Sequence, residues 1–149
     1  MSEHRATVAW SRGSQEFRYE TYSRAHDLRF EGGIRVPGNA APANIPKTVP
    51  PAAGVDPEQS FVAALSSCHM LWFLHLACQA KFVVDEYTDE AVGVLDKTWM
   101  SKVTLRPRVR FSGNAPNREQ HEALHHKAHE KCFIANSVKT EVVVEPTIA

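Results

Sequence analysis

Two cysteines are the residues of this chain whose type and placement could support redox chemistry. Cys68 lies in the middle of a long apolar segment, and Cys132 follows a second, histidine-rich helical segment. A buried free cysteine often packs simply as a small hydrophobe, which is the alternative interpretation of Cys68 on its own. If the two helical segments pack together, the thiols could meet as an attacking and a resolving thiol. Such a pair reduces a peroxide through a sulfenic acid and then a disulfide.

An attacking thiol needs a nearby positive charge to hold it as a thiolate. Cys68 is about the twelfth residue of its predicted helix, so the helix dipole, which acts within the first turn, does not lower its pKa. Arg24 is therefore the leading candidate for the activating cation, with Arg35 and His69 as alternatives. Glu58 is a carboxylate that could hold such an arginine in a bidentate pair.

The separation of Glu58 from Cys68 predicts a dimer. The two residues are ten positions apart, which corresponds to about 15 Å along a continuous helix. One guanidinium group cannot contact both side chains over that distance. An antiparallel helix from a second subunit would place its own Glu58 beside this Cys68, so we expect a two-fold homodimer with the site at its interface.

The histidines of the second helical segment predict an alternative function. His121, His125 and His129 recur every four residues, with His126 beside them and Cys132 three residues beyond His129. Imidazoles and thiolates bind zinc and other transition metals, so the alternative is a non-catalytic ligand- or metal-binding module. Three ligands along one straight helix face span about 12 Å, too far for one tetrahedral ion without outside ligands. We therefore predict no metal or cofactor, and interpret the histidines as a wet helix face or a pH-sensitive lining of the thiol pocket.

The helix that carries Cys68 is strongly specified by its ends and its composition. Asp56 is a good N-cap, Pro57 fits the first helical position, and Gln59 stands where a capping box requires it. Residues 61–78 contain no charged residue apart from two histidines, and the apolar residues fall on every side of the helical wheel, Cys78 among them. Such a helix is expected to be buried on all sides.

Composition limits the class of protein. At 149 residues the chain is predicted to form a single domain, 1–149. Lysine plus arginine equals aspartate plus glutamate, at 17 each, so the overall charge predicts no binding to nucleic acid or anionic lipid. The basic face of the predicted strand at 102–111 has no interleaved aromatic residues, which favours a solvated strand face. The polar residues within 61–78 argue against a membrane span, which needs about 20 apolar residues.

The same composition predicts a soluble, cytoplasmic protein. No basic-then-apolar signal peptide stands at the N-terminus. Three cysteines, an odd number, do not suggest a secreted disulfide framework.

The remaining segments predict an α+β fold. A second helix should run from an Asn117 cap to Lys131, with Gln120 in the capping-box position. Six of the nine prolines fall between residues 37 and 57, which predicts a long irregular loop before the central helix. Strands are predicted at 6–10, 17–22, 88–95, 102–111 and 139–145, and a short strand broken by Gly32-Gly33 is predicted at 28–35. A helix between two β-hairpins is typical of the α+β class.

The sequence around Cys68 resembles one known family. Asp-Pro-Glu-Gln at 56–59, followed by Ala-Ala-Leu-Ser-Ser-Cys-His-Met at 63–70, is similar to the helix that carries the peroxidatic cysteine of the OsmC/Ohr family. These are the osmotically inducible protein C and organic hydroperoxide resistance proteins. The interval to Cys132 and the order of elements are also similar. Phe133 follows the second cysteine, where better-known members usually have proline.

The resemblance implies both a fold and an activity. The fold is an intertwined α+β homodimer with antiparallel sheets around a long buried central helix. The activity is thiol-dependent reduction of organic hydroperoxides. Carried over by position, Cys68 is the peroxidatic thiol, Cys132 the resolving thiol, and Glu58 the partner of an activating arginine, for which Arg24 is the closest match.

We therefore predict a cytoplasmic thiol peroxidase. The Cys68 thiolate would attack the peroxide, Cys132 would close a disulfide, and an external dithiol would reopen it. Arg24 would stabilise the thiolate and the charge that develops on oxygen. Apolar side chains should favour an organic hydroperoxide over hydrogen peroxide; they are Phe61, Leu65, Met70 and Phe133.

Overall fold

The longest element is the helix α1, Pro57–Gln79, in a computed structural model that describes residues 1–149. Its N-terminus has the predicted capping box. The Gln59 N–H donates to Asp56 Oδ1 at 2.7 Å, and the Asp56 N–H donates to Gln59 Oε1 at 3.2 Å. Each bond satisfies an N–H group that has no partner within the helix, so the helix begins at this position for a local reason.

The chain divides into two units, residues 1–60 and 61–149. The single domain expected from chain length stays a prediction. In the first unit, three antiparallel strands form a sheet in chain order: β1 (Ala6–Ala9), β2 (His26–Phe30) and β3 (Arg35–Gly38). Gly32 and Gly33, with φ of 78° and 81°, make the turn between β2 and β3 in the left-handed region that glycine adopts without steric cost. The sequence predicted a short strand at 28–35 broken by Gly32 and Gly33; the structure has two strands, with the turn at these glycines.

The strand predicted at 17–22 is wrong. These residues form turns, and β1 pairs instead with β2, with Ala6 opposite Phe30. The alternating aromatic residues that suggested a strand cluster with Trp10 in the structure: Phe17 and Tyr22 have ring centroids 5.9 Å and 6.0 Å from it. Contact between aromatic rings, and not strand pairing, accounts for the pattern.

The second unit contains two three-stranded sheets and a second helix. The first sheet has the order β4 (Val83–Asp89), β7 (Pro107–Ser112) and β9 (Thr147–Ile148). The other has the order β5 (Val92–Asp96), β6 (Trp99–Leu105) and β8 (Glu141–Val144). The helix α2 spans Arg118–Lys131 and begins with the predicted Asn117 capping box. The α+β class is therefore confirmed, although β8 and β9 pair parallel to their neighbours.

The predicted hairpin of 88–95 and 102–111 is corrected by this topology. β5 and β6 form the hairpin, and β4, which precedes it in the chain, pairs with β7, which follows it. The basic side chains at 102–111 face acidic residues on neighbouring strands: Arg110 contacts Asp85 and Glu86, and Arg106 contacts Glu145. This is the solvated strand face that the sequence predicted.

One face of α1 forms the core of the second unit. Its buried residues recur every four positions: Leu65, His69, Phe73 and Ala77. Leu65 packs against Val103 and Leu105 of β6. Phe73 and Ala77 pack against β7 and against Leu124 and Ala128 of α2. The helix therefore lies between the sheets and α2, and residues on neighbouring turns of α1 and α2 can meet.

The opposite face of α1 is exposed, which corrects the expectation of burial on all sides. Leu71 is 62% exposed, and so are its neighbours on that face: Ala63, Ser67, His75 and Cys78. Cys78 is therefore not a core residue of the chain. By length and composition α1 could cross a membrane, a property that the core helix of a soluble protein shares. Within the single chain, Leu71 thus has no packing partner on this face.

Candidate functional site

Cys68 and Cys132 meet where α1 packs on α2. Cys132 is the C-cap residue of α2 and is 1% exposed, whereas Cys68 is half-buried. The two side chains lie close enough for Cys68 to raise the pKa of Cys132, and neither forms a disulfide. The structure thus brings together the two thiols that the sequence separated widely, in their reduced form.

Cys132 has surroundings that keep it protonated. Its burial is the main reason that its pKa is raised to about 11, and the contact with Cys68 raises it further. The backbone N–H of Ala135 donates to Sγ at 3.4 Å, which opposes this effect without overcoming it. Cys132 is therefore a thiol, not a thiolate, at neutral pH.

An aromatic pair borders the thiols. Trp72 is four residues after Cys68 on α1, and so lies on the same face of the helix. Its ring meets that of Phe133, the residue after Cys132, edge to face at 5.4 Å. Lys131 places its ammonium group 5.5 Å from the Trp72 ring. The sequence analysis did not identify Trp72, although its i+4 spacing from Cys68 was visible.

The structure changes the set of apolar residues that could line a substrate pocket. Leu65 is fully buried in the core between α1 and β6, so it cannot line a substrate pocket. Phe61 and Met70 are half-buried, and Phe133 is 67% exposed. Of the four predicted side chains, Phe133 is thus the one whose place beside the thiol pair is evident.

Arg24 has no acidic partner. Its guanidinium donates to the carbonyl oxygens of Tyr22 at 2.6 Å and Tyr19 at 2.8 Å, and lies 3.8 Å from the centre of the Tyr22 ring. With Trp10 and Phe17 it lines an open cavity of about 450 Å³ in the first unit. The arginine is held in place by carbonyl oxygens and aromatic rings, so its charge is not neutralised by a carboxylate.

Arg35 and Glu58 differ from Arg24 in their partners. Arg35 forms an ion pair with Asp27, which Arg29 also contacts. Glu58 lies in the first turn of α1, and its Oε2 atom is buried with no hydrogen-bond partner. The predicted arginine partner of Glu58 is not supplied by its own chain. An unsatisfied buried carboxylate oxygen is costly, so this position calls for a hydrogen-bond donor.

Beside the thiol pair, three buried histidines form a hydrogen-bonded chain between α1 and α2. His69 Nε2 lies 2.9 Å from His125 Nδ1, and His125 Nε2 lies 3.3 Å from His121 Nε2. The His69 and His125 rings are parallel, and Phe73 stacks on His125 with ring centroids 4.1 Å apart. This histidine chain (His121, His125 and His69) fills the layer next to the thiols.

Burial keeps the histidine chain neutral. It lowers the pKa of His69 to about 4, lowers that of His125 further, and also lowers that of His121. His125 is 2% exposed, so the interpretation of these residues as a wet helix face is wrong for His121 and His125. These histidines lie on the same face of α2 as the buried Leu124 and Ala128. That shared spacing already indicated the face that packs into the core.

The side chains predicted for a metal site are not arranged as metal ligands. No three histidine, cysteine, aspartate or glutamate side chains are placed to hold one metal ion. His125 uses both ring nitrogens in contacts with other histidines. His126 points outward and pairs with Glu130. The imidazoles along α2 thus hydrogen-bond to other imidazoles, and their nitrogens are not directed at one shared metal position.

Comparison with known proteins agrees with this architecture. The profile of the OsmC-like protein family matches residues 50–147. The structure of an OsmC-like protein of unknown function from Vibrio cholerae is similar over 99% of this chain and 100% of that chain, with 51% identity and a TM-score of 0.93. No functionally curated protein matches the chain.

More distant structures share the fold. An organic hydroperoxide resistance protein OsmC from Legionella pneumophila is 20% identical, with a TM-score of 0.64 over 100% of this chain and 98% of that one. The organic hydroperoxide resistance protein OhrB of Bacillus subtilis is 18% identical, with a TM-score of 0.62 over 99% and 98%. The predicted resemblance is confirmed: this chain belongs to the OsmC-like protein family.

Proposed function

We propose that this protein is a thiol peroxidase that reduces organic hydroperoxides to alcohols. The observation that carries the proposal is the contact between the Cys68 and Cys132 side chains at the α1–α2 interface. Two reduced thiols in contact can form a disulfide after a small movement, because the S–S bond is about 2.0 Å long. Family membership supports the same chemistry, since hydroperoxide resistance proteins share this fold.

The reaction proceeds in two steps on the enzyme. The Cys68 thiolate attacks the peroxide oxygen that carries hydrogen, the O–O bond breaks, and the alkoxide takes a proton to leave as the alcohol. Cys132 then attacks the sulfenic sulfur, which forms the S–S bond and releases water. An external dithiol reduces the disulfide and restores both thiols.

Arg24 supplies the positive charge in this mechanism. It is preferred to Arg35 because its guanidinium is fixed by two carbonyl oxygens and has no carboxylate partner, whereas Arg35 pairs with Asp27. A fixed cation stabilises the thiolate and the charge that develops on the leaving oxygen. The partner subunit would place its guanidinium at the unpartnered Oε2 of Glu58.

A homodimer completes the site. The exposed face of α1 carries Leu71, a large apolar side chain that a packing partner would cover. An antiparallel copy of α1 on this face would bring Glu58 of one subunit toward Cys68 of the other, because the two residues lie about 15 Å apart along one helix. The two-fold interface thus covers the apolar face and joins the parts of the site.

The aromatic pair beside the thiols bears on the class of substrate, and the free cysteines bear on the cellular compartment. The Trp72–Phe133 pair offers an apolar surface beside the thiols, which suits a hydroperoxide with a hydrocarbon group. All three cysteines are free, which agrees with the reducing cytoplasm and an external dithiol as reductant.

Two cysteine variants test the proposal. Cys68→Ser should abolish reduction of cumene hydroperoxide in the presence of dithiothreitol, measured by peroxide consumption. Without added dithiol, Cys132→Ser should consume about one equivalent and then stall as a sulfenic acid. Cys78→Ser is the matched control and should turn over like the unsubstituted chain. Equal turnover by Cys68→Ser and the unsubstituted chain would exclude a Cys68-dependent peroxidase.

A further inference from the structure

An aromatic cluster forms one wall of the cavity beside Arg24. Measured between ring centroids, Trp10 lies 5.9 Å from Phe17 and 6.0 Å from Tyr22, and Phe17 lies 5.0 Å from Tyr22. The indole N–H of Trp10 donates to the Ser23 carbonyl oxygen at 2.7 Å, which fixes that ring. Phe17 is nevertheless 67% exposed. Rings that contact one another and stay open to solvent offer a surface on which an aromatic group of a ligand can pack.

The Arg24 guanidinium keeps donors available for a ligand. Its bonds to the carbonyl oxygens of Tyr22 and Tyr19 use two of its N–H groups and hold the guanidinium in place. Both acceptors are neutral, so they leave the positive charge uncompensated. The remaining N–H groups have no acceptor within the chain. A fixed guanidinium with free donors is suited to bind an anion.

The other polar residues of the cavity are already hydrogen-bonded. His26 Nδ1 lies 2.8 Å from the Arg24 carbonyl oxygen. The Asn39 side chain donates to the Ala52 carbonyl oxygen at 2.8 Å and accepts from the Ala40 N–H at 2.9 Å. The rest of the lining is apolar, with Val8, Ala40 and Pro57 beside the aromatic rings. Arg24 is therefore the group of this cavity that is left to bind a charged ligand.

The charge of the lining selects the head group of such a ligand. Arg24 is the only arginine or lysine among the lining residues, and no aspartate or glutamate is among them. A cation is disfavoured, because the guanidinium already lies 3.8 Å from the centre of the Tyr22 ring. One positive charge matches a head group with one negative charge. A carboxylate meets this condition, and its two oxygens fit the guanidinium in a bidentate pair.

We propose that this cavity binds a carboxylate that carries an aromatic group. The carboxylate accepts hydrogen bonds from Arg24, and the aromatic group packs against Trp10 and Phe17. The volume of about 450 Å³ lies within the range of small-molecule sites, about 300–1,000 Å³. All the lining residues belong to the first unit, 1–60. The site is therefore complete without the two thiols.

This binding is separate from the peroxidase chemistry proposed above. It involves no redox step, so it is measured without peroxide. In the peroxidase mechanism the same guanidinium serves Glu58 of the partner subunit. The ligand carboxylate and Glu58 are then alternative partners of Arg24.

A pair of ligands that differ in charge tests the proposal on the unsubstituted chain. Naphthaleneacetate and its neutral amide have nearly the same shape, and calorimetric titration of the reduced protein at pH 7 measures the affinity of each. The acid should bind about 10- to 100-fold more tightly than the amide, as expected for hydrogen bonds to a charged group. Equal affinities, or no binding of the acid at millimolar concentration, would overturn the proposal.

Two variants and one control assign the site. Arg24→Gln should bind the acid and the amide equally, because the charge that distinguishes them is gone. Arg35→Gln should bind like the unsubstituted chain, since Arg35 pairs with Asp27 and does not line the cavity. Phe17→Ala should weaken both ligands alike, by about tenfold, through loss of ring contact.

The variants also define the results that would contradict the site. A preference for the acid that survives in Arg24→Gln, or that is lost in Arg35→Gln, would place the anion elsewhere. Unchanged binding in Phe17→Ala would exclude the aromatic wall. If circular dichroism shows that Arg24→Gln is unfolded, the comparison of acid and amide on the unsubstituted chain decides the question. A protein that binds neither ligand but reduces hydroperoxides would refute this site and leave the peroxidase function standing.

Discussion

His69 Nε2 on α1 lies 2.9 Å from His125 Nδ1 on α2, within the core and beside the thiol pair. At this distance a single proton lies between the two nitrogens, so one imidazole donates and the other accepts. The contact joins the two helices that carry Cys68 and Cys132. Because both rings are buried and neutral, the folding stability of the protein should depend on pH in a defined direction.

Acid should destabilise the fold through the histidine chain. The pKa of His69 falls from an ordinary value of 6.5 to about 4 on folding, so the unfolded chain binds more protons between these pH values. Stability should therefore decrease as pH falls through this window, by about 3 kcal/mol from His69 alone. Urea unfolding at pH 7.5, 6, 5 and 4 would measure this loss.

A matched pair of variants assigns the effect. His69→Leu should reduce the dependence of the free energy of unfolding on pH, while His126→Leu, at an exposed position of α2, should keep it. A free energy of unfolding that is constant from pH 7.5 to 5 in the unsubstituted chain would contradict the buried, neutral state of these histidines.

Alkylation should distinguish the two thiols of the site. In a Cys78→Ser background at pH 7.5, iodoacetamide should label Cys68 well before Cys132, because Cys132 is 1% exposed and its pKa is raised to about 11. Mass spectrometry of the labelled peptides would measure the order, and labelling in urea should remove it. Faster labelling of Cys132 in the folded protein would be incompatible with its buried C-cap position.

Arg24 and Arg35 should differ in their effect on the first chemical step. Arg24→Gln should slow the reaction of Cys68 with cumene hydroperoxide by about 10²–10³-fold, the usual effect of removing a preorganised charge. Arg35→Gln should change little, since its charge is already paired with Asp27. Single-turnover peroxide consumption would measure both rates. If Arg35→Gln has the larger effect, the assignment of the activating arginine is reversed.

The exposed face of α1 should control the association of subunits. Leu71→Glu places a charge on the proposed interface and should convert the dimer to a monomer in sedimentation velocity. Val94→Glu, at a residue that is exposed to a similar extent on β5, should remain dimeric. As an exposed position of the single chain, Leu71 should tolerate the change with a loss of roughly 0.5 kcal/mol or less in its own folding. A monomeric, fully active unsubstituted protein would exclude the shared site.

Local signals in the sequence determined the two helices and their starts. The Asp56 and Asn117 capping boxes depend on side chains three residues away, and both occur as predicted. The α+β class also followed from local patterns, because helix and strand periods differ. The exception is the segment at 17–22, where exposed aromatic residues imitate a strand; β1 pairs with β2 instead, a choice that depends on contacts across sixteen intervening residues, 10–25.

The sequence by itself also determined that Cys68 sits in an apolar helix and Cys132 at the end of another, together with the resemblance that names their roles. Only the tertiary structure decided that the thiols lie close together, that His121 and His125 turn inward to form a chain with His69, and that α1 leaves the Leu71 face open. The reason is physical: caps and periodicity are set by neighbours along the chain, whereas contact and burial are set by how two helices pack. A histidine that is polar in a sequence pattern becomes a core residue once another imidazole satisfies its nitrogens.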